Sequence, residues 1–107
     1  MMNIDSILEK LANSCITFSP ESFVPALMSD KVIVSMPTKV VFYSFFKRMV
    51  ICTKNNSVGK LYLKIEKVPS EENEFYYNFY DDVHKFARLT IVVTFFKEKI
   101  ALDVMPF

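Results

Sequence analysis

The segment Lys60 to Val68 constrains the fold of this chain most, because its apolar and polar residues alternate from Lys60 to Glu66. One face carries Leu61, Leu63 and Ile65, and the other carries Tyr62, Lys64 and Glu66. A period of two predicts a half-buried β-strand. The stretch NNSVG at 55–59 precedes it and is typical of a hairpin loop. The sequence therefore predicts an antiparallel hairpin in which residues 49–54 pair with 60–68.

Residues 39–54, KVVFYSFFKRMVICTK, fit two interpretations. As a helix, the segment places Ser44, Lys47, Arg48 and Lys54 in one narrow polar stripe. As a strand it does not alternate, but a strand buried on both faces need not, and the β-branched content and the following loop favour it. We predict a long strand that bends near Lys47 and Arg48, with the helix as the alternative.

Two other segments have the pattern of amphipathic helices. The first is N-terminal, where Ile4, Ile7, Leu8, Leu11 and Cys15 recur at helical spacing. The second runs over about residues 71–88: Ser70 is a suitable cap, acidic residues follow it, and the basic residues come last. Its predicted apolar stripe consists of Phe75, Phe79, Val83 and Phe86. The apolar runs LTIVVTFF and IALDVM then predict a closing pair of strands.

These elements predict an α+β fold. We expect an antiparallel sheet of four to five strands, an N-terminal helix, and the amphipathic helix at about 71–88 packed on one face of the sheet. A length of 107 residues suits one hydrophobic core and is too short for two, so residues 1–107 are predicted to form a single domain.

The composition argues against several common chemistries. With Gly59 as its one glycine, the chain is poorly suited to a phosphate-binding loop, which needs several glycines. One histidine and two distant cysteines do not supply the clustered ligands of a zinc site, so we expect no metal and no cofactor.

Catalysis has one candidate pair, Asp81 and His84, whose spacing suits a carboxylate that orients an imidazole. The more ordinary interpretation is a solvated histidine in the last turn of a helix. No Ser or Cys is placed by a motif to act as the nucleophile. We predict no catalytic residues and a protein that is not an enzyme, and an enzyme that uses Asp81 and His84 is the third hypothesis.

The sequence predicts a cytoplasmic protein. Cys15 and Cys52 are each flanked by apolar residues, which favours two reduced buried thiols over a disulfide. The start of the chain has no basic region before an apolar stretch, so we expect no signal peptide. The most membrane-like window, 32–53, contains Pro37 and three cations, which predicts that it does not span a membrane. Abundant Phe, Tyr, Ile, Lys and Asn have A/T-rich codons and indicate a low-GC bacterium, a virus or a phage.

Protein binding is the first functional hypothesis. The chain has 11 Phe and 5 Tyr, more apolar surface than one core of this size is expected to cover. We predict a small interaction module, a regulator or inhibitor that acts as a homo-oligomer such as a homodimer. The expected contact residues are Tyr77, placed on the polar side of its helix, with His84 and Arg88 beside it.

Binding of single-stranded nucleic acid is the alternative hypothesis. The predicted hairpin brings together the cations Lys47, Arg48, Lys54, Lys60 and Lys64, with Tyr62 among them as a stacking surface. The formal net charge of +1 gives little long-range attraction to polyanions, so such a site has to be local. Lysines on an exposed strand are also an ordinary protection against edge aggregation.

Overall fold

The computed structural model describes residues 2–106 and has an α+β fold, as predicted. The helices are α1 (Ile4–Ile16), α2 (Val24–Leu27), which follows a 3-10 turn at Pro20–Phe23, and α3 (Lys39–Asn56). The strands are β1 (Val32–Val34), β2 (Tyr62–Lys67), β3 (Glu74–Tyr80), β4 (Leu89–Phe95) and β5 (Ile100–Val104). The predicted N-terminal helix is confirmed, and Asn3 caps it by accepting a hydrogen bond from the Ser6 amide at 2.8 Å.

The five strands form one sheet in the order β1-β5-β4-β3-β2. Neighbours from β2 to β5 are antiparallel, as expected, whereas β1 runs parallel to β5 and makes the sheet mixed. The closing pair of strands is confirmed as β4 and β5, with Val93 opposite Leu102. The predicted strand at 60–68 is confirmed as β2, but its partner is β3, with Ile65 opposite Tyr77.

The strand predicted for residues 39–54 is wrong, because this segment is the helix α3. Thr38 caps it, its hydroxyl accepting from the Val41 amide at 3.1 Å. The helix buries a stripe that consists of Phe42, Phe46, Met49, Val50 and Thr53. Val40 and Ile51 are apolar but exposed. Because apolar residues occupy both sides of α3, its sequence resembles a strand buried on both faces.

The helix predicted at about 71–88 is also wrong, because the segment forms β3 and the loop that follows it. Phe75 and Phe79 are four residues apart, a spacing that places two side chains on one face of a helix and also on one face of a strand. The tertiary structure selects the strand, since β3 has β2 on one side and β4 on the other. Val83 and Phe86, predicted to continue the apolar stripe, are exposed.

The core lies between the helices and one face of the sheet, where the buried residues form one hydrophobic cluster. Three rings anchor it: Phe46 lies with its centroid 5.7 Å from that of Phe23 and 6.1 Å from that of Phe42. The other face of the sheet carries polar and aromatic side chains such as Lys64, Tyr76 and Thr94, which are exposed or partly exposed, whereas Asn78 on the same face is buried. Within residues 2–106, no helix is long and apolar enough to cross a membrane.

Candidate functional site

The candidate site is the loop of residues 81–88, DDVHKFAR, which joins β3 to β4. Phe86 has 82% of its surface exposed, more than any other large hydrophobic residue among those that the structure describes. Val83, in the same loop, is 60% exposed. Single exposed apolar residues are ordinary on protein surfaces, but a phenylalanine this exposed leaves most of its ring in water. The loop therefore presents an apolar projection to solvent.

Asp81 organises this loop from a buried position. Its carboxylate accepts hydrogen bonds from the amides of Val58 at 2.9 Å, Val83 at 3.2 Å and His84 at 2.8 Å. The His84 ring completes the set, with Nδ1 2.7 Å from Oδ2 of Asp81. Carboxylates that bond to amides two and three residues ahead are typical of turns. The Asp81 side chain therefore holds the first half of the loop and also bonds to residue 58.

The same contacts keep Asp81 ionised. Loss of hydration would by itself raise the pKa of its carboxyl. The hydrogen bonds from the backbone of His84, Val58 and Val83 and from the His84 ring favour the charged form more strongly, and they lower the pKa well below its usual range. Asp81 is thus a fixed negative charge beneath the loop.

Gly59 lies against the first turn of the loop. The Asp82 amide donates to the Val58 carbonyl at 3.2 Å, and the Asp82 carboxylate accepts a hydrogen bond from the Tyr62 hydroxyl. Gly59 has a φ of +75°, and a Cβ at this position would overlap the Asp82 carboxylate. The only glycine of the chain is therefore used where the segment before β2 meets the 81–88 loop.

Arg88 fixes the other end of the loop to α3. Its amide donates to the Phe79 carbonyl at 2.7 Å, and its Nη2 donates to the Asn56 carbonyl at 3.0 Å. The Thr53 hydroxyl donates to the Arg88 carbonyl at 3.2 Å. A cavity of about 290 Å³ lined by Cys52, Thr53, Asn56 and Arg88 lies at this junction. Both ends of the loop are thus anchored, and its apolar residues lie between the anchors.

Two of the three predicted contact residues, His84 and Arg88, lie in this loop. The His84 side chain is 41% exposed and contacts Asp81, the residue that its sequence spacing indicated, although in a loop and not in a helix. Tyr77 is different: it is 6% exposed and lies in β3 between Ile65 and Ile91. The expectation of an exposed Tyr77 beside His84 is wrong, because alternation along a strand places this ring on the core face.

The residues of the nucleic-acid hypothesis are divided between the two layers of the fold. Lys47, Arg48 and Lys54 are exposed on α3, which packs on the core face of the sheet. Tyr62 and Lys64 lie on β2, and their side chains share the open face of the sheet with Glu66, while Lys60 precedes the strand. The Glu66 carboxylate lies on the same strand and the same face as Lys64, and the Asp82 carboxylate accepts a hydrogen bond from the Tyr62 hydroxyl. The cations thus do not form one continuous patch, and carboxylates adjoin Tyr62 and Lys64.

The cysteines are both free, Cys15 buried and Cys52 exposed on α3. The absence of a disulfide agrees with the prediction, whereas the predicted burial of Cys52 is wrong. Burial raises the pKa of the Cys15 thiol far above its usual value. Within residues 2–106, no group of three or more His, Cys, Asp or Glu side chains is placed to hold a metal ion.

Sequence reasoning missed Phe86 as an exposed residue because its spacing from Phe79 and Val83 fitted a helical stripe. One signal was present in the sequence. Asp81 and Asp82 directly follow a run of aromatic residues, and aspartate after such a run is typical of a turn at the end of a strand.

Comparison of the chain with family models, with curated proteins and with solved structures found no match.

Proposed function

We propose that this protein is a non-enzymatic interaction module that binds a protein partner through the 81–88 loop, with Phe86 as the anchor. The observation that carries the proposal is the 82% exposure of Phe86 on a loop whose backbone is fixed by Asp81. Val83, His84 and Lys85 surround the anchor as the rim of the contact.

The energy available from such an anchor is substantial. Full burial of a phenylalanine side chain is worth about 1.5–3 kcal/mol, and burial of Val83 adds to it. Ordering a flexible segment on binding costs free energy and lowers the affinity. The carboxylate of Asp81 already orders this loop, so the cost is reduced. Aromatic anchors in a preformed setting are the residues that dominate measured interface energies.

The chemistry of the loop indicates the kind of partner. Asp81 is buried beneath the loop and the Asp82 carboxylate accepts a hydrogen bond from the Tyr62 hydroxyl, whereas Lys85 is exposed beside Phe86. An apolar pocket with carboxylates at its rim is the complementary surface, because it covers the ring and pairs with the lysine. By covering such a pocket, the protein would act as a regulator or inhibitor of its partner.

We place this activity in the cytoplasm. The exposed, unpaired Cys52 supports this location, because exposed thiols persist in a reducing compartment.

The proposal is tested by comparing two exposed phenylalanines. Phe96 is 54% exposed in the turn between β4 and β5, at the opposite end of β4 from the 81–88 loop, so Phe96→Ser is the matched control for Phe86→Ser. Each variant, immobilised beside the wild-type protein, is used to recover bound proteins from cells, with thermal unfolding as the check on folding. A partner recovered by the wild type and by Phe96→Ser but lost at least tenfold with Phe86→Ser is the expected result. Equal recovery by all three proteins would refute the role of the loop.

The nucleic-acid alternative is supported by Tyr62, which is 54% exposed beside the exposed Lys60 and Lys64. Binding of a labelled single-stranded oligonucleotide, measured at low and high salt, tests it. It requires salt-sensitive binding that weakens on Lys60→Glu or Lys64→Glu. The double change Lys47→Glu with Arg48→Glu, on α3 in the other layer of the fold, is the control. Absent or salt-independent binding would eliminate this alternative.

A further inference from the structure

The free edge of β2 is a second exposed feature of this protein, separate from the 81–88 loop. β2 is the last strand in the sheet order and has six residues, whereas β1 at the opposite edge has three. Neither proline nor glycine interrupts Tyr62–Lys67. A long regular edge is a template for pairing with another strand, and proteins ordinarily shorten or interrupt such edges.

The backbone groups on this edge belong to alternate residues. The Val68 amide donates to the Glu74 carbonyl of the neighbouring segment at 3.0 Å, so residue 68 turns its backbone groups toward β3. Because these groups alternate along a strand, those of Leu63, Ile65 and Lys67 point away from β3. These three residues therefore offer amides and carbonyls at the outer edge of the sheet.

We propose that two copies of the chain pair antiparallel through β2, about a two-fold axis at Ile65, and join their sheets into one ten-stranded sheet. This inference goes beyond the proposed function and does not rest on it, because it uses neither Phe86 nor the 81–88 loop. The occupant of the edge is a second copy, for which the charges of β2 are complementary.

The register follows from geometry and charge. Residues that face each other across an antiparallel pair must lie on the same face of the sheet, so the two-fold axis has to pass through a residue. An axis at Lys64 pairs residues 62–66 of one copy with the same residues of the other, and an axis at Ile65 pairs residues 63–67. Any other axis pairs fewer than five residues of Tyr62–Lys67. An axis at Lys64 sets two lysines opposite each other, which is destabilising. An axis at Ile65 instead sets Lys64 of each copy opposite Glu66 of the other.

Glu66 supplies a charged acceptor for this contact, and its hydrogen-bond partners lie on β3, on the inner side of β2. Its Oε1 accepts from Nδ2 of the Asn78 side chain and from the Tyr80 hydroxyl, each at 3.0 Å. These hydrogen bonds lower the pKa of its carboxyl and orient it, while Oε2 accepts no hydrogen bond from residues 2–106. A lysine across the strand pair would meet a carboxylate that is already charged and fixed in position.

Pairing of the two strands about this axis also covers apolar surface. Ile65 is 51% exposed, and it borders an open depression of about 320 Å³ that Phe75, Tyr77 and Phe95 also line. The two-fold axis sets Ile65 against Ile65 of the second copy and brings the two depressions side by side on the same face. Cross-strand apolar pairs and opposite charges are the contacts that stabilise paired strands.

The geometry of the dimer has a consequence for partner binding. Tyr62, at the start of β2, lies opposite Tyr80, after which the 81–88 loop begins. Because the two β2 strands would run antiparallel, the two loops would lie at opposite ends of the strand pair. A dimer would therefore present two separate Phe86 anchors, which increases the avidity for a partner with repeated sites.

Light scattering coupled to size exclusion tests the inference on the full chain, whose monomer mass is 12.5 kDa. We expect about twice this mass for the wild type, with dissociation on dilution. Lys64→Glu would oppose two carboxylates in each half of the dimer and weaken dimerisation at least tenfold. The exchange of both charges, Lys64→Glu with Glu66→Lys, would restore it. Lys60→Glu makes the same change of charge outside residues 63–67 and would leave the mass unchanged.

A monomeric wild type at all concentrations would overturn the proposal, as would equal dimerisation of Lys64→Glu and the wild type. A dimer that is lost with Phe86→Ser but retained with Lys64→Glu would show that the copies associate through the 81–88 loop and not through β2. We expect Phe86→Ser to retain the dimer and Lys64→Glu to lose it. This expectation holds whether or not the loop binds a second protein. The failures of the two proposals are therefore distinguishable.

Discussion

Replacement of Phe46 by alanine tests the helical packing of α3 most directly. Phe46 has no exposed surface, and its ring contacts Phe23 and Phe42 in the core. Phe45, the neighbouring residue in the same helix, is only partly buried. The two substitutions change helix propensity equally, so the difference between them isolates burial.

The expected loss in the free energy of unfolding follows from the burial of each ring. Truncation of a fully buried phenylalanine costs about 3–5 kcal/mol, from lost transfer energy and the cavity that remains. Since domains of this size are stable by about 5–15 kcal/mol, Phe46→Ala would lower the melting temperature by roughly 15–30 °C. A half-buried phenylalanine contributes less, so we expect Phe45→Ala to cost about 1–2 kcal/mol.

Urea unfolding followed by circular dichroism measures both losses on the same scale. The wild type and both variants should share one m-value, so that the shift in midpoint reports stability alone. Equal losses for Phe45→Ala and Phe46→Ala would refute the reasoning, because adjacent residues cost alike only in an element buried on both faces.

Two further predictions concern titration and thiol reactivity. The folded pKa of Asp81 lies below its ordinary value of about 3.8. Its contacts therefore stabilise the protein fully above that pH, and the stabilisation is lost as the pH falls from there through the folded pKa. Asp81→Asn should therefore destabilise the protein at pH 7. Below about pH 4 the variant should lose less stability than the wild type as the pH falls, measured as the urea midpoint at each pH. The same pH dependence in both proteins below about pH 4 would contradict this role. Cys15 is buried and Cys52 exposed, so a thiol reagent such as Ellman's should modify one thiol per native chain and two in denaturant. Two reactive thiols in the native protein would contradict the burial of Cys15.

Local patterns predicted the elements whose periodicity is unambiguous. α1 follows from apolar residues at helical spacing, and β2 follows from the alternation over residues 60–66, because each pattern matches only one period. The apolar runs of β4 and β5, separated by three charged residues, predicted a hairpin, and the two strands pair as expected. In the candidate site, the spacing of Asp81 and His84 was compatible with a contact on a helix, but the more ordinary interpretation was a solvated histidine, and the contact forms in a loop.

Elements whose pattern fits two periods could not be assigned in this way. Residues 39–54 are apolar on more than one face, and the four-residue spacing of Phe75 and Phe79 suits a helix and a strand equally. The error at 71–88 also misplaced the site, because Phe86 was assigned to a buried stripe and Tyr77 to an exposed one. In the structure, where β3 pairs with β2 and β4, Phe86 is exposed and Tyr77 is buried.

The sequence by itself determined the α+β class, the N-terminal helix and the strand β2, because these depend on local periodicity. Only the tertiary structure decided that 39–56 is a helix, that β1 runs parallel to β5, and that Phe86 faces water while Tyr77 does not. The physical reason is that strand pairing is non-local: which strand neighbours β3 depends on the whole sheet, and that neighbour decides which side chains are buried.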